Sequence, residues 1–284
     1  MVFLKSFNLL SEEREFRLLF HKKNIFNSVY PFAIFPEKEL SRLTFDPITI
    51  FYGGNGSGKT TLLNIIGTKL KASKKSIINK GELFMQYVER IDDYEISVDD
   101  VKEIKMVSSD DVFDYLLDLR AINNRVNRRK EALEEEYIKA RYSEQDSNLL
   151  TYEELKNKVD AHRMTESKYV RTRLTNNNIV EQSNGESALE FWENEIHDNS
   201  IYLLDEPENS LSAENQVKLA QFILESARFY NCQFIISTHS PFLLSLPEAK
   251  IYDLDSVPVS TSKWTDLKNV RVYHDFFEDH KDEF

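Results

Sequence analysis

Residues 53–61 read GGNGSGKTT, and this stretch decides the fold. Gly53, Gly58, Lys59 and Thr60 fill the pattern G-x-x-x-x-G-K-S/T, whose backbone N–H groups cradle phosphate oxygens. The flanks fit the pattern. Upstream, Pro47-Ile48-Thr49-Ile50-Phe51-Tyr52 is a short β-branched and aromatic run that reads as a buried strand. Downstream, Thr61-Leu62-Leu63-Asn64-Ile65-Ile66 opens a helix. Four glycines allow the tight turn, and the helix N-terminus adds a partial positive charge of roughly half a unit. Lys59 is placed to reach the terminal phosphates of a nucleotide, and the Thr60 hydroxyl to hold Mg²⁺. Gly53, Asn55, Gly56, Ser57, Gly58, Lys59, Thr60 and Thr61 are therefore the expected nucleotide contacts.

Two strands further along carry complementary chemistry. Ser200-Ile201-Tyr202-Leu203-Leu204 ends in Asp205, Glu206 and Pro207. A carboxylate there lies beside the phosphate site, with Asp205 organising Mg²⁺ and Glu206 polarising an attacking water. Gln233-Phe234-Ile235-Ile236-Ser237 ends in Thr238-His239-Ser240-Pro241, so His239 is expected to sense the γ-phosphate or that water. A helix from Ala213 to Tyr230 between them completes a parallel βαβ unit. Glu181-Gln182-Ser183-Asn184-Gly185-Glu186-Ser187 precedes a helix at Ala188–Trp192, a second helix N-terminus suited to an anion.

Elsewhere, Val2–Leu4, Phe16–Phe20 and Phe32–Phe35 read as strands, as do Ser76–Ile78 and Glu82–Met85 around Gly81, and Ile251–Leu254 as a last strand. From Ser109 to about Arg173 the pattern is helical and charged, an insertion of two to three helices. The expected divisions are 1–105 for the first part of the core, 106–182 for the insertion and 183–284 for the rest.

With 284 residues and one cysteine, Cys232, the chain has no internal disulfide framework, which suits a reducing compartment. No signal peptide and no membrane span is legible, so a cytoplasmic location without direct membrane insertion is expected. The net charge of −12 argues against nonspecific nucleic-acid binding by the whole surface. Arg120–Arg173, however, holds 13 Lys/Arg against 10 Asp/Glu, a local +3 in an otherwise acidic chain.

The glycine loop, SNGES at 183–187, IYLLDEPE at 201–208 and STHSP at 237–241, in this order, resemble the ABC-type ATPases, with SNGES replacing the more usual LSGGQ. The resemblance spans about Pro47 to Leu254. It implies an α/β P-loop NTPase with an ABC-type core: a mainly parallel sheet flanked by helices, antiparallel N-terminal strands and a helical insertion. It implies ATP and Mg²⁺ as ligands, ATP hydrolysis with Glu206 as base and His239 as switch, and a head-to-tail homodimer. In that dimer Ser183 and Gly185 would hold the γ-phosphate of the partner copy, and Asn209–Ser212 would cross the interface. Gln86 is placed by the same resemblance beside Mg²⁺, and Tyr30, Phe32 and Phe35 are candidates to stack on adenine. The SNGES and EPENSLS stretches look more like stand-alone "AAA family" or SMC-like ATPases related to bacterial defence and DNA repair than like transporter subunits. The alternative remains the nucleotide-binding subunit of a membrane transporter. Only about 124 residues separate Lys59 from Ser183, too few for a long coiled coil, and no nuclease domain is expected after Ile251. Nucleic acid or an effector protein are the partners this reading suggests.

Overall fold

The structure is a computed structural model that describes residues 1–20, 29–75, 81–97, 101–142, 151–174, 184–209 and 211–283. In chain order its elements are β1 (Leu4–Asn8), α1 (Glu12–Leu19), β2 (Arg42–Thr44), β3 (Ile48–Tyr52), α2 (Lys59–Lys69), α3 (Glu82–Glu89), β4 (Tyr94–Ile96) and β5 (Glu103–Ser108). Then come α4 (Ser109–Tyr142), α5 (Tyr152–Arg163), α6 (Glu166–Arg173), α7 (Asn184–Glu195), β6 (Ser200–Asp205) and α8 (Ala213–Phe229). The last are β7 (Gln233–Ser237), α9 (Pro241–Leu244), β8 (Lys250–Asp253), β9 (Ser260–Thr261) and α10 (Lys268–Asp279). They form two compact units: residues 1–113 with 184–284, and residues 114–183.

The first unit is built on a six-stranded sheet in the order β5-β6-β7-β3-β8-β9, parallel except for β9. The central strands β3 and β7 are buried throughout, and β6 is buried up to Leu204, as parallel strands covered on both faces must be. Leu203, Leu204, Ile235 and Ile236 are fully buried. At roughly 1.5–3 kcal/mol per buried side chain, a register slip in these strands is strongly opposed. A smaller antiparallel sheet runs β2-β1-β4. With its mostly parallel sheet, flanking helices and glycine loop after β3, the unit has the expected α/β P-loop architecture.

The two sheets are joined by polar side chains. Gln233, fully buried at the start of β7, accepts from the N–H groups of Phe3 and Leu4 at 3.0 and 2.8 Å. Its amide donates to the carbonyls of Leu4 at 2.8 Å and Asp46 at 3.3 Å. The Tyr252 hydroxyl on β8 accepts from the Thr44 N–H and donates to the Thr44 carbonyl. The Gln233 bonds satisfy buried backbone groups of Phe3 and Leu4, and the Tyr252 bonds tie the exposed Thr44 to β8.

The second unit consists of most of α4 together with α5 and α6. Tyr137, Ala161 and Tyr169 form its small core. Glu136 accepts from Asn157 and Tyr169, and Thr151 begins α5 with a capping box to Glu154. Arg173 bonds Asp160 at 2.8 Å and lies over the Tyr169 ring at 3.7 Å, so its guanidinium serves the packing of this unit.

Several expected strands are not strands. Phe16–Phe20 falls in helix α1 and its C-cap, because Ser11 caps it and Glu12, Glu13 and Glu15 occupy its first turn. Phe32–Phe35 is a turn in which Ala33 has φ 68° and its N–H donates to the buried Glu15 carboxylate at 2.6 Å. Glu82–Met85 opens helix α3, whose buried Leu83, Phe84, Tyr87 and Val88 follow helical spacing. Ser76–Ile78 lies outside the described residues. The first strand starts at Leu4 rather than Val2. Strands β2, β4 and β5 were not anticipated. They are short or mixed, and β5 is an edge strand whose Lys105 pairs with Glu195 instead of an apolar neighbour.

Replacing Gln233 by Leu would keep the volume and strand two buried N–H donors. A loss of roughly 2–4 kcal/mol is expected, read as a lower denaturant midpoint with an unchanged slope. A wild-type midpoint would show that the two sheets do not depend on this side chain.

Candidate active site

Register brings the site together. Across the parallel strands Phe51 pairs with Ser237, Ser237 with Asp205, and Asp205 with Ser108. The carboxyl ends of β3, β6 and β7 therefore lie side by side, where open α/β sheets form their crevice. The loop after β3 turns into α2 at Gly58, which has φ 99°; a Cβ there would sit 3.2 Å from Ile34. Gly53 has φ 155°, and a Cβ on it would meet the Ser57 hydroxyl at 2.6 Å. Neither position accepts a side chain without distortion.

Lys59 is buried at the first residue of α2. Its Nζ donates to the Gly53 carbonyl at 2.8 Å and the Gly54 carbonyl at 3.2 Å, and meets His239 Nε2 at 2.7 Å. Burial pulls the Lys59 ammonium below its usual range, against the attraction of Glu206, Asp205, Asp255 and Glu208. Burial, then the facing ammonium of Lys59, also lowers His239. The imidazole is thus neutral and its Nε2 accepts from Lys59, so its 3.7 Å approach to Glu206 Oε1 is not an ion pair.

Thr60 Oγ1 donates to Asp205 Oδ1 at 3.1 Å, and the Ser237 hydroxyl donates to the same oxygen. Burial raises Asp205, with those two hydrogen bonds opposing. Glu206 takes a left-handed backbone at φ 49°, uncommon without glycine. It is held there by its N–H to the Ser237 carbonyl at 3.0 Å, while the Asn209 side chain donates to its carboxylate at 3.1 Å.

The Thr60 hydroxyl and Asp205 carboxylate are hard oxygen donors of the kind Mg²⁺ accepts. Mg²⁺ keeps several waters and takes one or two protein oxygens plus substrate phosphates. Among the described residues no group of three or more His, Cys, Asp or Glu could hold a metal. The Ser57 hydroxyl, buried in the loop, has no hydrogen-bond partner.

Not every expected residue reaches this place. Gln86 lies on helix α3 and its amide donates to Glu82 one turn earlier. The strand expected before it is absent, and with it the geometric reason to put Gln86 beside the metal. The strand end that does adjoin Asp205 is Ser108, bonded to Asp111. Ser183 lies outside the described residues, and Gly185 falls in the first turn of α7. Phe32 and Phe35 are buried core residues, whereas Tyr30 is 40% exposed, stacks on Phe84 and donates to Thr61 Oγ1 at 3.1 Å.

Two residues were missed. Asp255, after β8, accepts from the Gly54 N–H at 2.8 Å. Glu208, the third acid of DEPE, is buried against the strap 238–240. The acid following each strand was the available signal for both.

A family model described as ABC transporter matches residues 42–209. The chain is an ABC-family ATPase. A second model, described as an AAA ATPase domain, matches residues 186–244. Solved structures similar to this ABC ATPase include a transporter described as of metal-chelate type in an inward-facing conformation. It is 16% identical, with 96% of this chain and 88% of that chain covered and a TM-score of 0.42. A dimeric ATP-binding cassette in a post-hydrolysis state, bound to ADP and Pi, is 16% identical, with 80% and 90% covered and a TM-score of 0.35. A dimeric bacterial ABC transporter cassette is 14% identical, with 80% and 90% covered and a TM-score of 0.33. Among curated proteins, none matches the sequence. The enzyme binds and hydrolyses ATP. Among the described residues no helix is long and apolar enough to cross a membrane.

The His239 ring should titrate below 6.5, followed by NMR of its ring protons, so it stays neutral through neutral pH and charges only as pH falls further. Lys59→Met should move that midpoint upward by removing the facing cation. A wild-type midpoint at or above 6.5 would contradict the site electrostatics.

Proposed function

We propose that this ATPase closes as a head-to-tail homodimer on ATP and opens after hydrolysis, driving a cytoplasmic process that acts on nucleic acid, of the kind found in bacterial defence. The observation that carries the reading is the convergence of Lys59, Thr60, Asp205, Glu206 and His239 at the carboxyl ends of three adjacent strands. Gly53, Asn55, Gly56, Ser57, Gly58, Lys59, Thr60 and Thr61 hold the phosphates, and Tyr30, bonded to Thr61, is the aromatic placed to meet the base. Thr60 and Asp205 hold Mg²⁺, which neutralises phosphate charge when bound. Glu206 takes the proton of the attacking water, and His239 hydrogen-bonds the γ-phosphate once Lys59 has turned to it.

Gly185, at the start of α7, and Ser183 before it form a second anion site, redundant within one chain but useful across a dimer. The γ-phosphate then touches both protomers, so ATP favours the closed state by its differential affinity, and hydrolysis removes that preference. The helical unit, residues 114–183, would read out the motion. Within it Arg125, Arg128 and Arg129 are exposed at helical spacing on α4, as is Arg171 on α6, and these are the candidate phosphate contacts. Arg173 is excluded by its bonds to Asp160 and Asn157.

Light scattering tests this directly. Glu206→Gln should double in mass on addition of Mg-ATP, and a mass that does not change would overturn the sandwich dimer. Mass gained on adding duplex or single-stranded DNA at low salt supports the nucleic-acid load, and no gain removes it. Lys59→Ala should lose nucleotide binding and hydrolysis together; retained tight binding would count against the assignment of the cradle.

A further inference from the structure

Glu208 is a buried carboxylate to which the proposed hydrolysis gives no role. It lies three residues after Asp205, in the loop that leaves β6, and is 9% exposed. Its Oε1 accepts from the Thr238 hydroxyl at 2.7 Å, the His239 N–H at 2.7 Å and the Ser240 N–H at 3.1 Å. Oε2 is also buried and has no partner. One oxygen therefore gathers three consecutive residues of the strap after β7, whose Thr238 N–H also donates to the Phe51 carbonyl on β3 at 3.3 Å. Thr238 Oγ1 accepts from the Ser240 N–H at 3.0 Å, closing the turn on itself. The Ser240 hydroxyl donates to Gln216 on α8 at 2.7 Å and accepts from Leu243 N at 3.4 Å, starting α9.

The middle residue of that strap is His239, whose ring meets Lys59 Nζ at 2.7 Å and Glu206 Oε1 at 3.7 Å. A buried carboxylate is costly, and its three donors are charge-assisted bonds, about twice as strong as neutral ones. A structural turn alone could use a threonine or a backbone carbonyl. A side chain rooted in the loop of Glu206 and Asn209, with its acceptor in the strap of His239, makes the two loops one mechanical body.

We infer that Glu208 is the positioning residue of His239, holding the imidazole against Lys59 and Glu206 and moving it with the 206–209 loop. The inference rests on the proposed role of His239 in hydrolysis. Any displacement of Asn209 is transmitted through the peptide of Glu208 and its Oε1 to the His239 backbone. Glu208 Oε1 faces the strap and acts through the histidine. Glu208→Gln keeps an acceptor oxygen but removes the charge, and puts an NH₂ where Oε2 has no partner. It should loosen the strap while leaving the fold and the cradle intact.

The experiment is a double-mutant cycle on kcat, KM and equilibrium ATP affinity, using Glu208→Gln, His239→Ala and the double variant, with thermal melting of each. Glu208→Gln should bind ATP within about twofold of wild type and lose roughly tenfold or more in kcat. In the His239→Ala background the same change should alter kcat by less than about twofold, since the positioned ring is already gone. Glu208→Asp, which shortens the reach but keeps the charge, should recover part of the loss. Wild-type kcat in Glu208→Gln, or full losses that multiply in the double variant, would overturn the inference. A loss of ATP affinity in step with a lowered melting temperature would do the same, since it would mark a purely structural residue. If His239→Ala itself keeps wild-type kcat, the reading of the site falls and the inference with it; if only Glu208→Gln is silent, the inference alone falls.

Discussion

The register of β6, β7 and β3 is the constraint on which the site depends. Asp205, Ser237 and Phe51 stand in line across three parallel strands, and each strand ends at or next to that line. Beyond its end each strand delivers a different chemical group: a glycine loop with Lys59, an acid pair, a histidine strap. Parallel strands buried on both faces have no freedom to slip, because a shift of one residue would turn Leu203, Ile235 and Ile50 to the wrong face. Catalytic geometry is thus fixed by apolar packing several residues away from any charged atom. The polar stitches of Gln233 and Tyr252 extend the same constraint to the small antiparallel sheet.

Charge balance explains why the site needs what it is proposed to bind. One ammonium, Lys59, feels Glu206, Asp205, Asp255 and Glu208 together. Burial works against the charged forms of four of the site's groups, raising Asp205 and Glu208 and lowering Lys59 and His239. A triphosphate brought into such an acidic place is repelled unless something positive arrives with it. The loop N–H groups and the N-terminus of α2 supply part of that, and a divalent cation, which Thr60 and Asp205 would hold, would supply more. In the proposed dimer, the N-terminus of α7 from a second copy would follow the same electrostatic logic.

Legibility in the sequence followed how local the signal was. The glycine loop, the buried strands β3, β6 and β7, helix α8 and the residues that end each strand could be read because each is a contiguous pattern with its own physics. The small sheet could not. β2 and β4 have three residues each and are defined by pairing with β1, so their existence is a tertiary fact. Phe16–Phe20 and Glu82–Met85 misled for another reason. A short apolar run does not distinguish a strand from one face of a helix, and the caps, Ser11 and Gly81, carried the missing information. Gln86 was displaced by the second of these errors. Tyr30 could be separated from Phe32 and Phe35 only by burial, which depends on the turn that Glu15 holds.

The internal contacts of the site are also informative about how it changes. Lys59 Nζ directs its protons at the Gly53 and Gly54 carbonyls and at His239 Nε2. A phosphate oxygen taken up by Lys59 would have to replace at least one of these contacts, and release of His239 is the exchange that its proposed role requires. Glu206 is engaged in parallel, with Asn209 donating to one carboxylate oxygen and the imidazole lying near the other. Once Lys59 turns away, the imidazole loses the cation that fixes Nε2 as an acceptor and can present a proton there instead. The site is therefore bonded to itself through its own Lys59, Glu206 and His239, and in the proposed mechanism substrate binding would exchange those internal contacts for contacts to phosphate and water.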